Sequence, residues 1–422
     1  MNNQQLLKKL FPICRSITGK GIYTSLKILK NHNKKIKIKY FKTGKNVFDW
    51  KIPSEWNIKN AYVKDSKGTK LINFEQNNLH VISYSKYINK KIKKEELLKK
   101  IYFLKKQPDA IPYITSYYKK DWGFCCNLKT YNKIKNNKSE IFDILIDSSF
   151  NKNGKMHYGE LLLKGKSKKE IILSTYLCHP SMANNELSGP VVLSNLIKYF
   201  ANKKLNYSMR FLILPETIGT ISYLNKNSKK LKENFYAGYV LTCLGDGGEM
   251  SFLKSIDENS ISNKLAINYF KKSKTKVKYY NFVDRGSDER QYNSPKINLD
   301  MASLMRTKYG KYKEYHTSLD NLKFIKLNKI KQSINTITKI LQLIQSNITP
   351  EIKTFCEPHL SKYGLYPTLS RKNMSKGYNN ILNFVAYANG KRNLHELSDL
   401  LKIPYSKILK LYKLLKKKKI VI

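Results

Sequence analysis

The sequence lacks any run of about 18 uninterrupted apolar residues, so we predict no transmembrane helix. Its first residues, MNNQQLLKKLFPICRS, lack the long apolar segment and the small-residue cleavage pattern of a secretory signal. The six cysteines, at positions 14, 125, 126, 178, 243 and 356, include no CxxC pair, which argues against a disulfide framework. These absences predict a cytoplasmic protein with reduced thiols and no membrane partner.

Acidic residues and arginine are both scarce. The 422 residues include 30 Asp and Glu against 80 Lys and Arg, which gives a net charge of +50, and lysine supplies most of the positive charge. Lysine is enriched throughout, together with Asn, Ile and Tyr, and all four have A- and T-rich codons. Compositional drift therefore explains the charge better than a nucleic-acid surface, which would use more arginine and cluster it. We do not expect a nucleic-acid partner, although the charge leaves one open.

Apolar runs of strand length alternate with helical patterns in the middle of the chain. The runs IILSTYL, SMRFLILP and AGYVLTCL are continuous, as in strands covered on both faces, and GPVVLSNLIKYFANK and ISYLNKNSKKLKENF lie between them. This order predicts an α/β fold with a mostly parallel, doubly wound sheet. Just before it, EIFDILIDSSF and HYGELLLKGK predict a pair of neighbouring strands.

Changes in texture along the chain predict three domains. Short alternating runs separated by Pro, Gly and Asn indicate a β-rich insertion at residues 46–130, which interrupts an α/β domain formed by residues 1–45 and 131–348. Residues 375–422 read as three helices and a short strand, with helix-turn-helix spacing around Ile403 and Pro404. We interpret this last segment as a winged helix-turn-helix domain.

Polar residues follow each of the three central runs. His179 and Glu186 come after the first, Glu216 after the second and Asp246 after the third, and His316 lies further along. Ligands of open α/β sheets bind at the carboxyl ends of the strands, so we expect these side chains at one edge. Two histidines with carboxylates meet the requirement of a catalytic zinc ion that keeps an open position for water.

Four segments in this region resemble motifs of the zinc aminopeptidase superfamily, which includes bacterial leucyl aminopeptidases and glutaminyl cyclases. They are, in the family's order, ANNELSG, PETIG, GSDERQY and YHTSLDN. The chain is also similar to a bacterial subgroup of uncharacterised aminopeptidase-like proteins with an inserted β domain and a C-terminal winged helix. That similarity rests on LFPICRSITG near the start and QPDAIPYITSYY, and it covers nearly the whole chain.

The resemblance implies that His179 and His316 are zinc ligands and that Glu216 is the general base. Asp246 is the favoured third ligand, with Glu186 as the alternative. Three carboxylates of the two-zinc enzymes are replaced here, by Asn185, Thr217 and Thr242. Because two divalent ions close together need that negative charge, the resemblance implies one zinc ion.

The remaining predicted site residues would contact the substrate. Asp288 matches a family aspartate near the site and would orient His316 or bind a substrate amine, and Glu289 stands where the family has a histidine. Arginine is rare in this chain, and Arg290 and Arg306 would bind a substrate carboxylate. Structural ion pairing is the alternative for both. The predicted substrate-binding set is Asn185, Asp288, Arg290, Arg306 and Tyr315.

The predicted function is zinc-assisted hydrolysis of a peptide or amide bond in a small-molecule substrate. A first alternative is an amidase or deacylase acting on an amino sugar or a surface-polysaccharide precursor. A second is a catalytically inactive binding module, and a third is a DNA-binding regulator that uses the winged helix. A homo-oligomer remains open at this stage.

Overall fold

A computed structural model of the chain describes residues 1–365 and 376–422. The chain divides into two compact units, Met1–Ile340 and Leu341–Ile422. Among the described residues we find no helix whose length and hydropathy would let it span a bilayer.

Strands and helices alternate along the first unit, whereas the second is mainly helical. The strands are β1 Lys37–Lys42, β2 Asn46–Val47, β3 Trp50–Lys51, β4 Glu55–Lys64, β5 Lys70–Asn73, β6 Ile88–Lys93, β7 Ile101–Tyr102, β8 Phe124–Cys125, β9 Ile141–Asn151, β10 Lys155–Leu163, β11 Ser167–Tyr176, β12 Tyr207–Leu214, β13 Phe235–Leu241, β14 Met250–Leu253, β15 Val277–Tyr280 and β16 Met301–Met305. The α-helices are α1 Asn3–Leu10, α2 Lys20–His32, α3 Lys94–Leu98, α4 Leu128–Lys135, α5 Ser188–Phe200, α6 Ile218–Asn234, α7 Ile261–Lys272, α8 Glu289–Tyr292, α9 Leu327–Gln345, α10 Lys376–Tyr387, α11 Leu394–Leu401 and α12 Tyr405–Lys417.

An eight-stranded sheet forms the centre of the first unit, in the order β1-β10-β12-β11-β13-β16-β14-β15. Its four middle strands, from β12 to β16, are parallel. On one side β10 and β1 are antiparallel, and on the other β14 is antiparallel to β16 and parallel to β15. The predicted α/β fold is confirmed, with a mixed sheet that has a parallel centre.

The middle strands are covered on both faces. Seven consecutive residues at the end of β11 are buried, as are the last seven of β12 and the last five of β13. Their unbroken apolar runs match this environment, because a strand packed on both sides has no polar face. Because the middle strands are parallel, their carboxyl ends meet at one edge of the sheet. The polar loops follow the strands at this edge.

A second, four-stranded antiparallel sheet has the order β5-β4-β9-β6 and its own apolar cluster. The predicted pairing of β9 with β10 is wrong: β9 pairs with β4 and β6, whereas β10 pairs with β1 and β12. Burial alternates along β9, which suits a sheet with one covered face. This sheet thus draws on residues beyond the predicted limit of the insertion at 130.

The second unit has a core built from α10, α11 and α12. Buried apolar side chains of α11 and α12 pack together in one cluster, with Leu394, Leu397, Ile408 and Leu415 fully buried. Asn393 caps α11 in a capping box, and Lys402 ends that helix in a left-handed conformation, so the chain turns sharply into α12. The predicted start of this domain, residue 375, lies outside the described residues.

Candidate active site

His179 follows β11 and lies almost fully buried, with 4% of its surface exposed. Its Nδ1 is 2.7 Å from Oε2 of Glu186, and its Nε2 is 3.6 Å from Oε2 of Glu216. Burial lowers the pKa of His179, but Cys178 and Glu186 outweigh it and hold that pKa well above the usual value. Glu186 thus engages Nδ1, and Nε2 faces Glu216.

Glu186 lies in the turn Ala183–Leu187, and Asp320 holds this turn in place. Asp320 accepts hydrogen bonds from the backbone N–H groups of Ala183, Asn184 and Asn185, at 3.1, 2.6 and 2.9 Å. Just beyond the turn, a Cβ added to Gly189 would lie 2.3 Å from Oγ1 of Thr175 and 2.5 Å from O of Leu241. The glycine is required because α5 starts directly against β11 and β13.

Arg15 contacts the backbone of His179 and lies beside Glu186. It is fully buried, and its Nε donates a 3.0 Å hydrogen bond to the carbonyl oxygen of His179 while lying 3.9 Å from Oε1 of Glu186. Burial lowers the pKa of this guanidinium and Glu186 raises it. The segment LFPICRSITG thus contributes a cation that holds both the backbone of His179 and its carboxylate partner.

Glu216 follows β12 and presents one carboxylate oxygen to the cavity. Ser287 donates its hydroxyl to the other oxygen, Oε1. Burial raises the pKa of Glu216, and burial together with the charge of Glu216 raises the pKa of Asp288 to about 8. Asp288 accepts a 2.7 Å hydrogen bond from the N–H of Thr217 and is not among the residues that line the cavity.

The carboxylate of Glu289 has four hydrogen-bond partners within the protein. Its carboxylate accepts hydrogen bonds from the N–H groups of Gly286 and Ser287, at 2.8 and 3.0 Å, and from the hydroxyls of Ser303 and Tyr309. All of these partners belong to the protein, and Glu289 is fully buried. It fixes the loop from which Ser287 reaches Glu216.

His316 approaches the same place from a loop after β16. Its backbone has φ of 55°, in the left-handed region, and its ring lies 5.3 Å from that of His179 between centroids. Burial and the neighbouring His179 lower the pKa of His316 to about 3, so the ring is neutral. Its Nε2 is buried and has no hydrogen-bond partner among the described residues. Tyr315 stacks on this ring at 3.9 Å.

A cavity of about 480 Å³ joins these groups. None of its lining residues is a lysine or an arginine, although the chain carries a net charge of +50. The lining residues are Ile17, Trp50, Tyr113, Thr115, Tyr117, Tyr118, Cys178, His179, Glu216, Thr217, Ile218 and His316. The cavity is therefore aromatic and apolar, with Glu216 as its acidic group.

The structure does not bring Asp246 to this cavity, contrary to its predicted place as third ligand. Both of its oxygens already accept hydrogen bonds: Asn184, Gly248 and Thr307 are the donors, at 2.7 to 3.2 Å. The loop after β13 folds so that this carboxylate ties two backbone segments together. Sequence spacing could not reveal these partners, because Thr307 lies 61 residues away.

The two predicted substrate-binding arginines have different surroundings. Arg306 is buried, donates to the carbonyl oxygens of Gly248 and Lys329, and does not line the cavity. These contacts favour a structural role for Arg306 over substrate binding. They differ from the predicted ion pair, because the acceptors are carbonyl oxygens. Arg290 is exposed and donates a 3.0 Å hydrogen bond to Oγ1 of Thr217, at the edge of the cavity.

Two of the three substituted positions, Asn185 and Thr242, form an uncharged network with Tyr176. Tyr176 donates a 3.1 Å hydrogen bond from its hydroxyl to Oδ1 of Asn185 and lies 2.6 Å from Oγ1 of Thr242. Thr242 in turn donates to the carbonyl oxygen of Asn185 at 3.0 Å. Asn185 is 1% exposed, so its side chain is part of the buried framework.

Two groups of side chains could hold a metal ion. Cys178, His179 and Glu186 bring ligand-capable atoms within 4.8 Å of one another, but the guanidinium of Arg15 already lies beside Glu186 and would repel a cation. On the cavity side, Nε2 of His179 faces Glu216, and Nε2 of His316 is buried with no hydrogen-bond partner in the part of the chain that the structure describes. Imidazole nitrogens are ligands that zinc prefers, so these two nitrogens could hold a zinc ion with Glu216 beside it.

Sequence reasoning missed three contributors to this arrangement. Tyr113 packs its ring against both histidines, Ser287 holds Glu216, and Asp320 anchors the turn of Glu186. Asp320 and Ser287 lie inside the motifs YHTSLDN and GSDERQY, so the motifs were the available signal. Tyr113 lies in the insertion, and no pattern in the sequence connects it with His316.

The chain resembles known proteins along its full length. A family model described as a domain of unknown function, DUF4910, matches residues 4–347, and a winged helix-turn-helix model matches residues 347–422. A Clostridium acetobutylicum protein is 40% identical over 400 residues, covering 91% of this chain and 90% of that protein, and is named a putative polysaccharide biosynthesis protein with an aminopeptidase-like domain.

Solved structures show the same fold. A putative peptidase from Clostridium acetobutylicum has a TM-score of 0.84 at 36% identity and covers 100% of this chain and 95% of its own. BSAP, a zinc aminopeptidase from Bacillus subtilis, has a TM-score of 0.58 at 13% identity, covering 81% and 93%. The chain thus belongs to the DUF4910 family and combines an aminopeptidase-like fold with a C-terminal winged helix-turn-helix domain.

Proposed function

We propose that this chain is a single-zinc hydrolase of amide or peptide bonds. Nε2 of His179 and Nε2 of His316 would hold the ion, and Glu216 is the general base. The observation that carries the proposal is the convergence of two imidazoles and a free carboxylate oxygen on one cavity. Glu186 serves as the partner of Nδ1 in this scheme, because its Oε2 is already engaged there.

When bound, zinc supplies a Lewis acid that polarises the amide carbonyl. Glu216 accepts a proton from the attacking water as the new carbon–oxygen bond forms. It then passes that proton to the amide nitrogen as the carbon–nitrogen bond breaks, which releases a carboxylic acid and an amine. Burial raises the pKa of Glu216 and so increases its basicity, and the hydroxyl of Ser287 keeps its second oxygen in place.

A single ion is proposed because the neighbouring network carries no charge. Two divalent ions close together need carboxylate ligands. Asn185, Thr242 and Tyr176 instead bond to one another as neutral groups. This leaves His179 and His316 as the metal-binding side chains, with Glu216 opposite them.

A second candidate is an amidase that acts on an amino sugar or a surface-polysaccharide precursor. Two observations favour it: a relative is named for polysaccharide biosynthesis, and the cavity lining contains four aromatic residues but no lysine or arginine. Such a lining suits an uncharged, amphipathic ring better than a substrate carboxylate. The zinc chemistry and the role of Glu216 are the same in both candidates.

Chelation and add-back with two substrate panels test these proposals. The full chain would be treated with a chelator, reloaded with zinc, and assayed on aminoacyl amides and on N-acyl amino sugars. We expect hydrolysis that chelation removes and zinc restores. Turnover of the aminoacyl panel alone supports a peptidase, and turnover of the sugar panel alone supports the second candidate. Absence of turnover with both panels contradicts the hydrolase proposal.

The division into domains is also a proposal. The α/β domain comprises residues 1–45 and most of 131–348, and the insertion is extended from 46–130 to include β9, because β9 pairs with β4 and β6. A cytoplasmic location stays a prediction from the sequence, as does the lack of a nucleic-acid partner, and the sequence does not choose between a monomer and a homo-oligomer.

A further inference from the structure

The inserted region contributes a loop, residues 107–118, to the cavity. The N–H of Tyr113 donates a 2.9 Å hydrogen bond to the carbonyl oxygen of His316. The two residues before Tyr113 continue this pairing. Pro112 forms a β-bridge with Thr317, and the N–H of Ser318 donates to the carbonyl oxygen of Ile111 at 2.9 Å. The loop thus runs along the segment that holds His316, and its position is set by the backbone.

This pairing places two tyrosines at the cavity. The ring of Tyr113 meets that of His179 at 5.0 Å and 63°, and that of His316 at 5.3 Å and 87°. Its hydroxyl lies 2.8 Å from the hydroxyl of Tyr117, and both residues line the cavity. An ordinary phenol has a pKa of about 10, so both hydroxyls keep their protons at neutral pH.

Two neutral hydroxyls in one hydrogen bond leave one O–H without an acceptor. Tyr113 and Tyr117 form no other side-chain hydrogen bond within the described part of the chain. Tyr113 is the fixed member of the pair, because its backbone bonds to His316 and its ring packs against both histidines. With Tyr113 as donor to Tyr117, the free proton lies on Tyr117, which lines the same cavity as Glu216.

We propose that the Tyr117 hydroxyl, supported by a hydrogen bond from Tyr113, donates to the carbonyl oxygen of the scissile amide as negative charge develops on it. The proposal rests on the hydrolase function proposed above and adds a catalytic residue to it. A neutral donor fixed in an apolar cavity stabilises such charge strongly, because no water has to reorganise. Tyr113 acts as a positioning residue, because it holds Tyr117 and packs against both histidines.

Phenylalanine variants test the proposal, because they remove a hydroxyl and keep the ring. In Tyr117→Phe we expect kcat to fall by roughly 10²–10³, as for loss of one oxyanion donor, with KM nearly unchanged. In Tyr113→Phe the donor remains but loses its support, so we expect a fall of about tenfold or less. The double variant should match Tyr117→Phe, because both changes act on one hydrogen bond.

Zinc affinity and a matched control separate this role from a structural one. Tyr84 is buried in the same aromatic cluster, 5.2 Å from Tyr117, and its hydroxyl bonds to Thr18 and to the carbonyl oxygen of Ser54. Tyr84→Phe should keep wild-type kcat, and all of these variants should bind zinc as tightly as the wild type. A Tyr117→Phe variant with weakened zinc binding would assign the residue to site structure and overturn the catalytic role.

The failures of the two proposals are distinguishable. If the wild type hydrolyses a substrate and depends on Glu216, but Tyr117→Phe keeps its kcat, the tyrosine proposal is wrong and the hydrolase proposal stands. If the wild type hydrolyses neither substrate panel, the hydrolase proposal fails and the tyrosine proposal fails with it. A fall in Tyr117→Phe that appears in KM alone would make the residue a binding group and contradict the oxyanion role.

Discussion

The two halves of the site differ in their charge. On the cavity side, His179, Glu216 and His316 keep groups that can ionise or bind a cation, and His179 lies between two carboxylates. On the adjoining side, Asn185 and Thr242 form a neutral network with Tyr176. Asn185 and Thr242 are buried, whereas Glu216 and His316 are half-buried and line the cavity.

Polar side chains around the site avoid the cost of buried, unpaired charge in different ways. A buried carboxylate without a cation is costly, because its charge is desolvated and unpaired. The neutral side chains of Asn185 and Thr242 carry no such cost. The carboxylate of Glu186 instead has the guanidinium of Arg15 3.9 Å from its Oε1 and Nδ1 of His179 2.7 Å from its Oε2.

The largest expected effect is the loss of metal binding in His316→Ala. This residue supplies a buried nitrogen with no partner among the described residues. We expect calorimetric titration of chelator-treated protein with zinc to show stoichiometric binding for the wild type and none for the variant. His359→Ala, at an exposed histidine of the second unit, is the control and should bind as the wild type does. Equal affinities in both variants would remove His316 from the metal site.

Glu216→Gln should lower kcat by roughly 10²–10⁴, because a general base contributes about that much. Zinc affinity should change little, because the proposed ligands are both histidines. Glu258→Gln changes an exposed carboxylate in the same way and should leave kcat unaltered. If the Glu216 variant instead loses zinc together with activity, Glu216 is a ligand and the cavity side needs a different base.

Glu186→Gln should weaken zinc binding by about 10- to 100-fold, the usual effect of removing a carboxylate partner of a ligating histidine. The amide keeps the size of the side chain but provides no negative charge for Nδ1 of His179 or for Arg15. At saturating zinc, kcat should return close to the wild-type value. An exposed counterpart, Glu249→Gln, serves as the reference, and unchanged affinity in the Glu186 variant would contradict the support role.

Asn185→Asp, which puts a carboxylate into the neutral network, should have the smallest effect on zinc binding and kcat, and should lower the free energy of unfolding by about 1–3 kcal/mol. The new carboxylate would be buried beside the hydroxyls of Tyr176 and Thr242, with no cation among its partners. Urea denaturation with and without zinc measures this, with exposed Asn153→Asp as reference. Stabilisation by zinc in the Asn185 variant alone would reveal a latent second metal position and break the contrast between the two halves.

The fold was predictable because its signals are local. Continuous apolar runs identified β11, β12 and β13, and the rule for open α/β sheets placed His179 and Glu216 at one edge. The partner of β9 was not predictable, because alternation marks a half-covered strand and does not say which sheet supplies its neighbour. Its partners, β4 and β6, lie in the insertion.

The sequence by itself determined the residue types available for chemistry: two histidines, the carboxylate of Glu216, and the neutral side chains of Asn185, Thr217 and Thr242. Only the tertiary structure decided their partners. It engaged Asp246 with Thr307, placed Arg15 behind His179, and brought Tyr113 of the insertion against both histidines. The physical reason is that a side chain's charge and reactivity depend on its neighbours within a few ångströms, and most of those neighbours are distant in the sequence.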